Sequence, residues 1–64
     1  MKILKQDARS IIEMPKQLWV NREAVCSSAG ILGKYPTRPR AREVLLEIFE
    51  AYESGERSYV MPEH

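Results

Sequence analysis

The stretch from Thr37 to Gly55 constrains this chain more than any other part of it. Thr37 is a good helix N-cap, because its hydroxyl accepts a hydrogen bond from an otherwise unpaired amide of the first turn. Pro39 falls in that first turn, where a missing amide costs little. Ala41, Val44, Leu45, Ile48, Phe49 and Tyr52 then recur at steps of 3, 1, 3, 1 and 3, one face of a 3.6-residue repeat. Ser54-Gly55 closes the segment, with Gly55 suited to the left-handed position after a helix end. A helix over 37–54 leaves residues 1–35 as the only material for a second layer.

That first part reads as strands. Met1 to Gln6 is short and partly alternating, and Asp7-Ala8 makes a turn. Arg9 to Met14 holds the β-branched pair Ile11-Ile12 and is stopped by Pro15, which lacks a ladder donor. Gln17 to Asn21 is a third strand, and Asn21-Arg22-Glu23 a turn. Ala24 to Tyr35 favours one long strand bent at Gly30 and Gly33, with a strand, a kink and a second short strand as the alternative. The expected fold is therefore α+β, one domain over 1–64: a four-stranded antiparallel sheet (1–35), one C-terminal amphipathic helix (37–54) and a short extended tail (56–64). The tail's Arg57 to Pro62 is apolar and alternating. It suits addition to its own sheet or to another subunit's, and the second is preferred because a short chain needs added burial, which makes Tyr59, Val60 and Met61 the expected interface residues.

A core drawn from 64 residues is thin. Such chains gain stability from disulfides, a metal or oligomerisation. The single cysteine, Cys26, excludes an intrachain disulfide, and Cys26 with His64 falls short of the four ligands of a structural zinc site. Self-association into a dimer or tetramer is the remaining expectation. A lone cysteine fits a reducing compartment, no stretch reads as a signal peptide, and no apolar run reaches the roughly 20 residues of a membrane span. A cytoplasmic protein without a membrane partner is expected.

Charge is divided unevenly. Residues 1–42 hold nine basic side chains against three acidic ones, whereas residues 43–64 hold one basic against six acidic. Arg38, Arg40 and Arg42 crowd the helix start, and Glu50 and Glu53 its end, the reverse of what the helix dipole favours. A local rule broken repeatedly points to a task. The arginines either hold an anion or pair with acids of a neighbouring copy, and Arg38 and Arg42, four apart, share a face. Lys2, Lys5, Arg9, Arg22, Lys34, Arg38, Arg40 and Arg42 are the candidate anion-binding set, with Trp19 and Tyr35 as aromatic platforms for bases. Against this stands the plain reading of solvated surface charges and a core Trp19. Cys26 reads as a small buried hydrophobe. Asp7 reads as a turn residue and Glu13 as the solvent side of a strand. No ordinary active site is visible, and the glycines match no phosphate-binding spacing.

The stretches Lys2–Asp7, Ile11–Pro15, Leu32–Tyr35 and Ala41–Tyr52 resemble a group of small Firmicutes phage and prophage proteins. The order of strands then one helix, with a basic sheet, is similar to the single-stranded-DNA-binding fold of the positive-cofactor-four coactivators, which one type II-A anti-CRISPR family from gut Clostridia adopts. That resemblance implies an oligomer acting on supercoiled DNA, nicking or relaxing it, with DNA rather than the CRISPR nuclease as partner. It also implies an acidic sheet residue as the nicking group, for which Glu13 and Asp7 are the candidates, and a divalent metal if nicking occurs. The rival expectations are a sponge for an anionic nucleotide signal and a protein-binding module without DNA activity.

Overall fold

The computed structural model describes all residues from Met1 to His64. The elements in chain order are β1 (Lys2–Leu4), β2 (Ile11–Glu13), β3 (Leu18–Asn21), β4 (Ala24–Ser27), β5 (Gly30–Lys34), α1 (Arg38–Glu53) and β6 (Ser58–Val60). They form an α+β fold, but with two three-stranded sheets in place of one four-stranded sheet. One has the order β2-β1-β6 and the other β3-β4-β5. All pairings are antiparallel except that of β1 with β6. The helix is followed by a strand, so the tail is an element of the fold. No helix is long and apolar enough to cross a membrane.

Two of the differences have local causes. The expected single strand over 24–35 is broken at Ser28-Ala29 into two strands, as the alternative had it, but they are joined by a full reversal into an antiparallel hairpin and not by a kink. The Ser27 hydroxyl accepts from the Ala29 amide at 3.1 Å and so rewards a turn there. Gly30 follows at φ +117°, a conformation closed to other side chains. The tail was preferred on another subunit, but the alternative holds and it lies on its own β1. The Lys2 amide donates to the Arg57 carbonyl and the Met61 amide to the Leu4 carbonyl. A parallel partner needs a long crossover, and everything from β2 to α1 provides it.

The helix forms as its sequence dictates. The Thr37 hydroxyl accepts from the Arg40 amide at 3.2 Å, and Gly55 takes φ +76° just beyond the last turn. Its buried side is narrower than the periodicity suggests. Ala41, Val44 and Ile48 are buried and Leu45 is half-buried, whereas Phe49 and Tyr52 are exposed. That buried side packs on β3 and β4 and meets β6. Ile3, Val25, Leu32, Tyr35 and Met61 complete one hydrophobic cluster with it. Met61 is 3% exposed, so it belongs to the chain's own core and is unavailable to another subunit as expected of it.

The sheets are joined at Gln6, just past the end of β1. Its amide donates to the Leu32 carbonyl. Its side chain accepts from the Lys34 amide at 2.6 Å and donates to the Lys34 carbonyl at 2.7 Å, as an adjacent strand's peptide group would. The same side-chain nitrogen reaches the Glu63 carbonyl at 2.8 Å. One side chain thus ties β1, β5 and the tail together. Gly33 leaves room for this bridge, since a Cβ there would lie 3.2 Å from the Gln6 Cβ and 2.8 Å from the Tyr35 hydroxyl.

Candidate nucleic-acid interface

The register of β3-β4-β5 sorts its side chains onto two faces. Trp19, Cys26 and Ile31 are cross-strand neighbours in one row, and Asn21, Ala24 and Lys34 in the next. Side chains two apart on a strand share a face, as Trp19 and Asn21 do and Ala24 and Cys26 do, and the register irregularity between β4 and β5 leaves Ile31 and Lys34, three apart, both exposed with Leu32 and Gly33 buried between them. The other side carries Val25 and Leu32 into the core, with Leu18 and Val20 packed against it. The Trp19 face is open to solvent at its outer strands, while Ala24 and Cys26 on the central strand are buried. Trp19 is 41% exposed and Ile31 57%. A core role for Trp19 is thereby excluded, while Tyr35, the other aromatic platform expected, is buried.

Cations rim this face. Lys5 and Lys34, with Asp7 and Ile31, line a shallow cavity of about 140 Å³. Arg22 and Lys34, with Glu23, Cys26 and Ile31, line an adjacent one of about 220 Å³. Lys34 approaches Glu23 to 3.8 Å, yet both side chains are well exposed, so the pair is weak and easily exchanged for another anion. Arg22 sits at the tip of the β3–β4 turn with φ +57°. Holding a non-glycine residue there costs about 1 kcal/mol, and glycine or asparagine would do so more cheaply.

The rest of the expected anion-binding set is dispersed. Lys2 lies on β1 between Glu13 and Ser58 in register. Arg9 is exposed in the β1–β2 connection. Arg38 and Arg42 line one cavity at the helix start with Glu43 and Leu46. Arg40 is engaged within the chain and is not a free cation. Its Nη1 lies 3.6 Å from both Glu43 and Glu47, and its Nε donates to the His64 carbonyl at 3.0 Å. Its guanidinium stands 5.9 Å from the centre of the Tyr35 ring.

Two tyrosines complete that internal network. The Tyr59 hydroxyl donates to Glu47 Oε1 at 2.7 Å, and the Tyr35 hydroxyl to the Pro62 carbonyl at 3.0 Å. Burial pushes the Tyr35 phenol up to about 12, against an opposing pull from Arg40. Burial, then the hydrogen bond to Glu47, also raises Tyr59. Tyr59 is thus half-buried and committed to its own helix, and of the three tail residues expected at an interface only Val60 remains well exposed.

The candidate nicking residues are not brought together. Glu13 pairs with Lys2 at one end of the β1–β2 hairpin, and Asp7 is in the connection at the other. Asp7 Oδ1 accepts from the Arg9 amide at 2.9 Å, the bond of a turn-forming aspartate. No three His, Cys, Asp or Glu side chains gather where one metal ion would reach them. Sequence reasoning missed Gln6 and Ile31. Ile31 had no usable signal until the turn at Ser28 fixed its register. No protein-family model, characterised protein or solved structure matches this chain.

Proposed function

We propose that this chain is a nucleic-acid-binding domain that receives a single-stranded segment across the outer face of β3-β4-β5. The observation that carries this reading is the exposed Trp19–Ile31 row rimmed by Lys5, Arg22 and Lys34. An exposed indole stacks on any base, which contributes about 1–3 kcal/mol per base. Lysines and arginines beside it neutralise the phosphates that such a strand carries. Binding DNA is also the step that the anti-CRISPR resemblance requires first, so an anti-defence role of a phage-derived protein extends this reading. The binding step needs neither Asp7 nor Glu13 as a catalyst.

Trp19 is the only tryptophan, so its fluorescence reports on this face alone. Single-stranded oligonucleotide added at low salt should quench it. With three cations engaged, the logarithm of affinity should fall with the logarithm of salt at a slope of about −2. Replacing Arg22 and Lys34 together by glutamine should flatten that slope without disturbing the fold, since both side chains are exposed. Absence of quenching at the lowest salt refutes the proposal. Equal quenching by a single mononucleotide would replace it with the small-anion reading.

A further inference from the structure

The helix has three sides, and only two are occupied. Ala41, Val44 and Ile48 enter the core, and Arg40, Glu43 and Glu47 serve the network with the tyrosines and tail. The third side carries Arg42, Leu46, Phe49 and Glu53, spaced 4, 3 and 4 residues apart, the spacing of a helix-packing seam. Leu46 is 59% exposed and Phe49 58%. They line a groove of about 340 Å³ whose other wall is Met14 and Pro15 from the β2–β3 connection and Leu18 at the start of β3. Neither Arg42 nor Glu53 has an ion-pair partner within the chain.

This stripe is its own complement when reversed. Laid antiparallel about a two-fold axis, Arg42 meets Glu53 of the second copy, Leu46 meets Phe49, and each contact occurs twice. A parallel arrangement would set Arg42 against Arg42. The charges are also misplaced on the isolated helix, which has no acid in its first turn and no base in its last. An antiparallel neighbour brings its acidic C-terminal end to the arginines and its basic N-terminal end to the glutamates, correcting both faults. A foreign helix would need this pattern by coincidence, whereas a second copy has it by construction.

We propose that a second copy of this chain docks antiparallel on the Arg42-Leu46-Phe49-Glu53 stripe, with Phe49 entering the partner's groove. The groove reaches β3 only at Leu18, whose side chain lies on the opposite face of that strand from Trp19, so the outer Trp19 face stays open and the proposal is independent of nucleic-acid binding.

The test is the mass of the full chain by sedimentation equilibrium across a concentration series. The parent chain should dimerise. Arg42→Glu or Glu53→Arg alone puts like charges opposite each other twice and should weaken the dimer about ten-fold or more. The double variant R42E/E53R restores opposite pairs and should recover dimerisation to within a few-fold of the parent. Both side chains are exposed, and circular dichroism of each variant verifies the fold. A parent that stays monomeric at the highest concentration leaves the stripe to a foreign partner and overturns the proposal. A dimer indifferent to the single reversals, or not recovered in the double variant, overturns it equally.

Discussion

Replacing Gln6 should cost this fold more than its surface position suggests. Its side chain makes three bonds, at 2.6, 2.7 and 2.8 Å, to two different segments. A net contribution of about 0.5–1.5 kcal/mol per bond, taken toward its lower half because Gln6 is half-buried, gives about 2 kcal/mol for Gln6→Ala. A chain of this length has a total stability of about 3–10 kcal/mol, so a fifth or more is lost. At about 4–8 °C per kcal/mol, Tm should fall by about 8–16 °C.

Gln6→Glu should be worse at neutral pH, because it aims a carboxylate at the Lys34 and Glu63 carbonyls and loses both donated bonds. Those carbonyls disfavour the ionised acid, so its folded-state pKa is raised above the unfolded value of about 4.3. The extra penalty is then complete above the folded pKa and is relieved as pH falls toward the unfolded one, where the protonated acid donates again. Thermal melts of the parent and both variants from neutral to mildly acid pH provide the measurement, with the parent subtracted at each pH. Amide exchange adds a local readout, since the Lys34 amide should lose protection in Gln6→Ala. A Tm for Gln6→Ala close to the parent's would refute the claim that this side chain joins the sheets.

Alkaline pH should unfold the chain through its two raised tyrosines. A raised folded-state pKa gives stability that is complete below the unfolded value of 10.0 and lost as pH rises through about 12 for Tyr35, with Tyr59 acting in the same direction. Tyrosinate absorbance and circular dichroism should therefore change together, and Tyr59→Phe should lessen the alkaline loss. Gly33→Ala should destabilise by about 1–3 kcal/mol, because the new methyl meets the hydrogen-bonded Tyr35 hydroxyl and the Gln6 stem in a packed site. A denaturation midpoint equal to the parent's would show that the contact relaxes freely.

What could be read from the residues was what local chemistry decides. Thr37, Pro39 and Gly55 bound the helix through backbone needs that no distant contact alters. The strands were legible as apolar, β-branched runs, but their partners were not. Which strand the tail joins depends on Met61 finding the pocket between Ile3 and the helix, and that pocket exists only after the chain has folded. The split of 24–35 into two strands likewise turns on the Ser27 hydroxyl, and the joining of the two sheets on an amide side chain standing in for a strand. Neither has a periodicity to detect. Trp19 illustrates the limit well. Alternation within β3 places it opposite Leu18 and Val20, but only the position of α1 decides which of those faces is the inner one.

Arg38, Arg40 and Arg42 show how a cluster in sequence becomes separate tasks in space. Residues two apart on a helix are turned by about 200° from one another. Arg40 therefore points away from its two neighbours and into the tail network, where Glu43, Glu47 and the Tyr35 ring surround it. Arg38 and Arg42 remain together beside Leu46 on the opposite flank. The adverse dipole charge of Arg40 is thus offset within the chain, by two glutamates and a terminal carbonyl. That of Arg42 is not, since it has no acidic partner. An uncompensated charge directly beside exposed Leu46, mirrored by an uncompensated Glu53 beyond exposed Phe49, is the arrangement an isologous contact requires. The same reversed charge placement therefore divides along one helix into an internal latch on one flank and the proposed docking surface on the other. Arg40→Ala should lower the stability of the monomer, whereas Arg42→Glu should leave that stability equal or slightly raised and weaken association.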